Sequence, residues 1–233
     1  MASSLRILAF FICFFAASVS ARTLEGITFA ADPGKLFVPV HEAARELRMP
    51  VTLNAENRVV LLNELEVAAG TLRQLLDGTE LVHMEQLASF GAEVAEPEAD
   101  GTVKVGRVFR GFKVKAAEQR VVISLAKQQL QAWQGSRLIL QTNVSSGRDN
   151  RTPAGEFHAG PYRAQMHRSS RYHNAPMPWS VQINGHIFVH GFSSVPAYPA
   201  SHGCIRMPLD KGNPARFFYE WVLTGTPVSV KAD

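Results

Sequence analysis

The stretch from Gln119 to Val144, QRVVISLAKQQLQAWQGSRLILQTNV, leaves the chain little choice of structure. Short apolar runs recur at Val121–Leu125, Leu130–Gln134 and Arg137–Val144, each suited to a pleated strand and too short for a self-supporting helix. Gly135-Ser136 separates the last two and predicts a hairpin. IFVHG, Ile187 to Gly191, predicts a further strand, and the proline-rich segment up to His202 a loop. One late helix is expected from about Pro214 to Leu223, with Phe217, Phe218, Trp221 and Val222 on its apolar face. This half of the chain is therefore predicted to be mainly β.

The first half follows a different plan. Residues 27–62 give a turn at Asp32-Pro33-Gly34, a strand, a helix from about His41 to Arg48, then two strands separated by polar turn residues. A degenerate second copy follows in DGTELVHMEQLASFGAEVAEPEADGTVKV, where Gly78 answers Gly34, Val82 answers Val38, and Glu85 to Phe90 take the helix position. AEPEADG then reads as the hairpin turn of the second unit, which moves the domain boundary to Lys113–Glu118. The expected division is a leader at 1–21, a small α+β tandem-repeat domain at 22–112 and a mainly β domain at 113–233, an α+β chain overall. LFVPVHEAARELRMPV resembles the tandem N-terminal repeat of copper amine oxidases. That resemblance implies no copper, because His41 and His83 are isolated and read as surface histidines.

The opening MASSLRILAFFICFFAASVSA has one arginine, an apolar run from Ile7 to Ala17, and the small residues Val19, Ser20 and Ala21. It reads as a secretory signal with cleavage after Ala21, because the apolar run is shorter than the roughly 20 residues that span a bilayer. An exported protein with no stable membrane span is expected. Cleavage would remove Cys13 and leave one thiol, Cys204. A lone thiol in an oxidising compartment is a liability unless it is buried or its reactivity is wanted. The formal charge of +4 is diffuse, with no basic run interleaved with aromatics, so a nucleic-acid partner is not expected.

Around Cys204 the sequence reads HGFSSVPAYPASHGCIRM, His190 to Met207. A catalytic cysteine reacts as a thiolate, and an unperturbed thiol with a pKa of about 8.5 is only slightly ionised at neutral pH, so a histidine or a cation has to help. His190, His202 and Arg206 are the candidates. Gly203 permits a tight turn that aims backbone N–H groups at a developing oxyanion. By themselves these residues leave a nucleophile and a buried thiol as alternatives.

His190-Gly191, a short loop, then SHGCIRM from Ser201 to Met207 closely resemble the signature of the L,D-transpeptidase catalytic domain, also called the YkuD domain. SSGRDNRTPAGEF resembles the family's small-Gly segment followed by a Thr-Pro-x-Gly-x-Phe turn, and ISLAKQQLQAW its first strand pair. The resemblance implies a mainly β YkuD-like fold with Cys204 as nucleophile and His190 as its base. It also implies that His202 assists proton transfer with support from Ser201, and that the N–H groups of Gly203 and Cys204 form the oxyanion hole. Arg206, beside Gly191 on the substrate side, would face a carboxylate of the donor stem peptide. The implied reaction attacks the carbonyl before the terminal D-Ala of a peptidoglycan tetrapeptide stem. A Cys204 thioester forms and passes to an amine, giving a 3→3 cross-link, or to water. The resemblance implies no cofactor and no metal, acylation of Cys204 by carbapenems, and a location in the periplasm or cell wall of a bacterium.

No acidic residue lies between His190 and Ser201, so a backbone carbonyl is expected to orient the base, with Asp210 a weaker candidate. Tyr162 and Trp179 lie in a segment whose end, the resemblance implies, leads towards the donor groove, and Trp179 reads as core. Three alternatives remain. His186, His190, His202 and Cys204 could form a zinc site, although no HExxH helix accompanies them. A carboxypeptidase or a wall-tether hydrolase would use the same nucleophile. A non-catalytic wall-binding module would keep the fold alone. In each case the N-terminal repeats could hold the chain on the wall or on an envelope protein.

Overall fold

The computed structural model describes residues 22–233. The expected signal segment, 1–21, lies outside the described residues. The chain begins with β1 (Thr23–Gly26), β2 (Phe37–Pro39) and α1 (Val40–Leu47), followed by β3 (Val51–Leu53), β4 (Val59–Leu62), β5 (Leu65–Glu66), β6 (Arg73–Gln74) and β7 (Glu80–His83). A 3₁₀ helix (Met84–Phe90) then leads to β8 (Glu93–Val94), β9 (Val103–Arg107) and β10 (Arg110–Ala116). The two segments read as repeats meet where β2 and β7 pair antiparallel, and Val38 and Val82, matched in the sequence, stand directly opposite each other, both fully buried.

The helices of the two copies differ in kind. In α1 the buried residues are Val40, Ala43, Ala44 and Leu47, the stripe of an α-helix, and Arg48 closes it in a left-handed conformation. In the second copy the buried residues are Met84, Leu87 and Phe90, a spacing of three that lines one face of a 3₁₀ helix. The expected helix at 85–90 is thus a 3₁₀ helix, set by its apolar spacing. AEPEADG is the turn between β8 and β9, closed by Asp100 accepting from the Thr102 N–H.

The second half contains β11 (Gln119–Ser124), β12 (Gln129–Gln134), β13 (Arg137–Asn143), β14 (Gly155–His158), β15 (Arg163–Ser169), β16 (Ala175–Asn184), β17 (Ile187–Gly191), β18 (Ile205–Met207), α2 (Pro214–Trp221) and β19 (Pro227–Lys231). The strands at 121–144 and the hairpin at Gly135-Ser136 form as their sequence suggests, with Gln134 paired to Arg137 and Gly135 at φ 58°. Two sheets result, in the orders β13-β12-β11-β19-β14 and β15-β16-β17-β18. They share one apolar core with α2, built around Ile123, Leu130, Val189, Ile205, Phe218 and Trp221.

That core reaches across the expected boundary at 112/113. Ile27, Phe29, Phe37, Leu75 and Leu81, all from the first half, are buried in it. Phe29 packs edge-on against Phe37 and Phe217 and lies beneath the Arg73 guanidinium at 3.7 Å, while Arg73 also pairs with Asp32 and Glu220. Polar contacts follow the same line. The buried Gln119 side chain binds the Trp221 carbonyl, the Leu223 N–H and the Thr226 hydroxyl, and Gln134 accepts from Trp221 Nε1 and the Thr28 N–H. No described helix is long and apolar enough to cross a membrane.

Candidate active site

β17 and β18 run parallel, with Val189 opposite Ile205, His190 opposite Arg206, and Gly191 opposite Met207. Side chains alternate along a strand, so Val189 and Ile205 enter the core while Phe188, His190, Cys204 and Arg206 share the other face. The face is a square of Phe188 and His190 on one side and Cys204 and Arg206 on the other. Cys204 immediately precedes β18, and its thiol contacts the His186 carbonyl at 3.5 Å.

Each member has an identifiable environment. His190 is 4% exposed, and its Nδ1 bonds the Gly191 carbonyl at 2.9 Å. Donation to that carbonyl puts the proton on Nδ1 and leaves Nε2 as a proton acceptor. The orienting group is therefore a backbone carbonyl, and Asp210 makes no hydrogen bond to a histidine among the described residues. Burial lowers the His190 pKa to about 4, with a smaller push from Arg206 and His167 against the favourable Gly191 bond. Burial likewise raises the Cys204 thiol, against opposing help from the Phe188 backbone and Arg206. Both shifts favour the uncharged forms near neutral pH, an arrangement suited to general-base transfer and not to a preformed thiolate–imidazolium pair.

Arg206 lies over the Phe192 ring at 4.0 Å and has no carboxylate partner among the described residues. Beside Cys204 opens a cleft of about 350 Å³ lined by Arg151, His167, Arg171, Tyr172, His202 and Phe188 among others, with no Asp or Glu in its wall. Such a wall favours an anionic ligand.

Several expected residues sit differently from the sequence reading. The Ser201 hydroxyl donates to the Cys204 carbonyl at 2.5 Å and accepts from the Gly203 N–H at 3.0 Å. It therefore ties the nucleophile turn and does not orient His202. The Gly203 N–H is consumed in that turn, whereas the Cys204 N–H has no hydrogen-bond partner among the described residues and is free to act as a donor. His202 is exposed, stacked on Tyr172 at 4.4 Å, and bonded through Nε2 to Arg148 at 3.1 Å. Gly191 faces no substrate space, since a Cβ there would lie 2.4 Å from Leu209 Cδ2 and 3.2 Å from Ala215.

The four residues of the zinc alternative do not converge. His186 is exposed in the turn before β17, His190 is buried, and His202 turns to Tyr172; no cluster of three His, Cys, Asp or Glu is disposed to hold a metal among the described residues. His41 is exposed on α1, and His83 packs against Phe37. Trp179 packs against Tyr219 and the shared core, and Tyr162 bonds His167 Nδ1 at 2.8 Å.

The brace behind the nucleophile was not identified from sequence. Ser145 exchanges two backbone bonds with Arg206, and the Ser146 carbonyl accepts from the Ala200 and Ser201 N–H groups. Gln128 holds Ser146 at both its N–H and its hydroxyl. Thr152 Oγ1 accepts from the Gly147 N–H and donates to the Gly203 carbonyl, both at 2.7 Å. SSG and the Thr-Pro turn were the visible signal, but their physical task is to hold the loop that carries Cys204.

Comparison with known proteins adds the following. Residues 118–230 match the L,D-transpeptidase catalytic domain family, YkuD. Similar solved structures include an L,D-transpeptidase from Stackebrandtia nassauensis, at 21% identity over 50% of this chain and 56% of that one, with a TM-score of 0.45. Another is the L,D-transpeptidase from Xylanimonas cellulosilytica, at 32% identity over 50% of this chain and 61% of that one, TM-score 0.42. An L,D-transpeptidase from Mycobacterium smegmatis is 17% identical over 91% of this chain and 94% of its own, TM-score 0.45. The chain thus spans 56% and 61% of the length of the first two. No curated protein matches it.

Proposed function

Because residues 118–230 belong to the L,D-transpeptidase catalytic domain family, we propose that this protein is an exported cysteine transpeptidase acting on the tetrapeptide stems of peptidoglycan. The observation that carries the reading is the shared face of β17 and β18. What supports it is that His190, with its Nδ1 bonded to the Gly191 carbonyl, and Arg206, with no carboxylate partner among the described residues, are paired across the two strands, and Cys204 is the residue just before β18.

On this reading Arg206 binds a carboxylate of the donor stem, and Cys204 Sγ attacks the carbonyl between the third, diamino acid residue and the terminal D-Ala. His190 Nε2 takes the thiol proton as the C–S bond forms. The Cys204 N–H stabilises the tetrahedral oxyanion. His190 then passes the proton to the departing D-Ala nitrogen, and the C–N bond breaks to leave a thioester. A side-chain amine of a second stem displaces sulfur and forms the 3→3 cross-link. Water in place of the amine gives a tripeptide and makes the enzyme a carboxypeptidase.

Mass spectrometry of products tests the proposal, using diamino-acid tetrapeptide muropeptides with the wild type and a Cys204→Ala variant. A dimer lighter than two monomers by one D-Ala, absent with the variant, is expected. Tripeptide alone would assign the hydrolytic reaction. Unchanged tetrapeptide, on soluble stems and on intact sacculi, would leave a wall-binding module.

A further inference from the structure

The β9–β10 hairpin breaks the usual rule for its turn. Arg107 pairs with Arg110, so Val108 and Phe109 alone form the loop, a position that favours Gly, Asn or Asp. Val108 is held at φ 55°, a strained conformation for a β-branched residue. The two side chains are 81% and 92% exposed, so nothing within the fold compensates for the strain or the apolar exposure.

The charge around this tip is one-sided. Residues 103–116 contain Lys104, Arg107, Arg110, Lys113 and Lys115 and no carboxylate. Lys104 and Lys115 pair with Glu98 and Asp100, and Arg107 bonds the Leu47 carbonyl and Asn63. Arg110 and Lys113 have no acidic partner among the described residues. The acids of this sheet come from its other strands, Glu93 of β8 opposite Gly106 and Glu25 of β1 bonded to Ser136.

From these two observations we propose that the β9–β10 tip is a membrane-docking element. Val108 and Phe109 insert among the headgroups of an anionic bilayer, and Arg110 and Lys113 engage lipid phosphates. Covering the exposed apolar pair with lipid offsets the cost of the strained turn that presents it.

Residues 22–233, the whole described fold, would be co-sedimented with vesicles of phosphatidylglycerol and phosphatidylethanolamine and, separately, of phosphatidylcholine. Binding to the anionic vesicles is expected, weakened by salt and reduced at least about tenfold in a Val108→Gly/Phe109→Ser variant. Glycine relieves the turn, so equal or higher resistance to urea in that variant would separate loss of binding from loss of fold. Arg110→Glu, which leaves the turn residues alone, should weaken anionic binding only. Equal sedimentation of wild type and the double variant would overturn the proposal. So would retention on purified lipid-free sacculi without vesicle binding, which would assign the tip to the wall, or binding to neither.

Discussion

His190 and Arg206 stand opposite each other in the parallel ladder of β17 and β18, so a buried neutral imidazole and an unpaired guanidinium share one face of the sheet. The arrangement keeps the base uncharged, because burial and the neighbouring cation both disfavour imidazolium.

The first prediction concerns pH and activity. The base must be neutral to accept the thiol proton, so thioester formation should rise with pH through about 4, where burial has put His190, and not near 6.5. Arg206→Met removes one repulsive charge and should move that acid limb upward, while costing about 10- to 100-fold in kcat/KM through lost carboxylate binding. Intact-mass rates across pH for both proteins check this. An acid limb that stays fixed in Arg206→Met would show that Arg206 does not influence the base.

The same shift predicts a pH-dependent stability. Between about 4, the folded pKa, and about 6.5 in the unfolded chain, the unfolded state binds a proton that the folded state refuses, so stability rises with pH across that window. The contribution is fully present above 6.5 and is lost as pH falls to 4. Its size is on the order of 3 kcal/mol. Urea midpoints at pH 4 and 7 should differ less in His190→Gln than in wild type.

Gly147 should tolerate no side chain. A Cβ would lie 2.7 Å from Gly203 Cα and 2.9 Å from the Thr152 nitrogen, both backbone atoms that cannot swing aside. Gly147→Ala therefore displaces the nucleophile turn, and acylation should fall about 100-fold. Retention of the wild-type rate would mean the turn does not set Cys204.

Thr152→Val keeps shape but removes the hydroxyl bridging Gly147 and Gly203. Two buried backbone groups lose their partner, at a cost of roughly 2–3 kcal/mol. Urea denaturation gives the stability change, and the acylation rate should drop with it because Gly203 immediately precedes the nucleophile.

The two halves should unfold together. Phe29→Ala removes a ring at 1% exposure that contacts Phe37, Phe217 and Arg73, and should cost about 3–5 kcal/mol. Tryptophan fluorescence, dominated by the second half, should report that loss although the substitution is in the first. Residues 113–233 alone should be far less stable than the full chain.

Local physics made much of this protein legible from sequence. Apolar spacing and turn chemistry gave the strands of 121–144, the Gly135-Ser136 hairpin, α1, α2 and the AEPEADG turn, because each is decided by residues within a few positions of one another. SHGCIRM marked the candidate nucleophile because reactive chemistry restricts residue types at fixed spacing. The tertiary structure decided the rest. Strand β19 inserts between β11 and β14, Phe29 crosses with Ile27, Phe37, Leu75 and Leu81 into a core built mostly by the second half, and Thr152 clasps Gly203 from fifty-one positions away. The roles of Ser201 and Gly203 changed for the same reason: a sequence names donors and acceptors, but which of them meet depends on how distant backbone segments are packed, and a hydrogen bond already made inside the fold is no longer free for substrate.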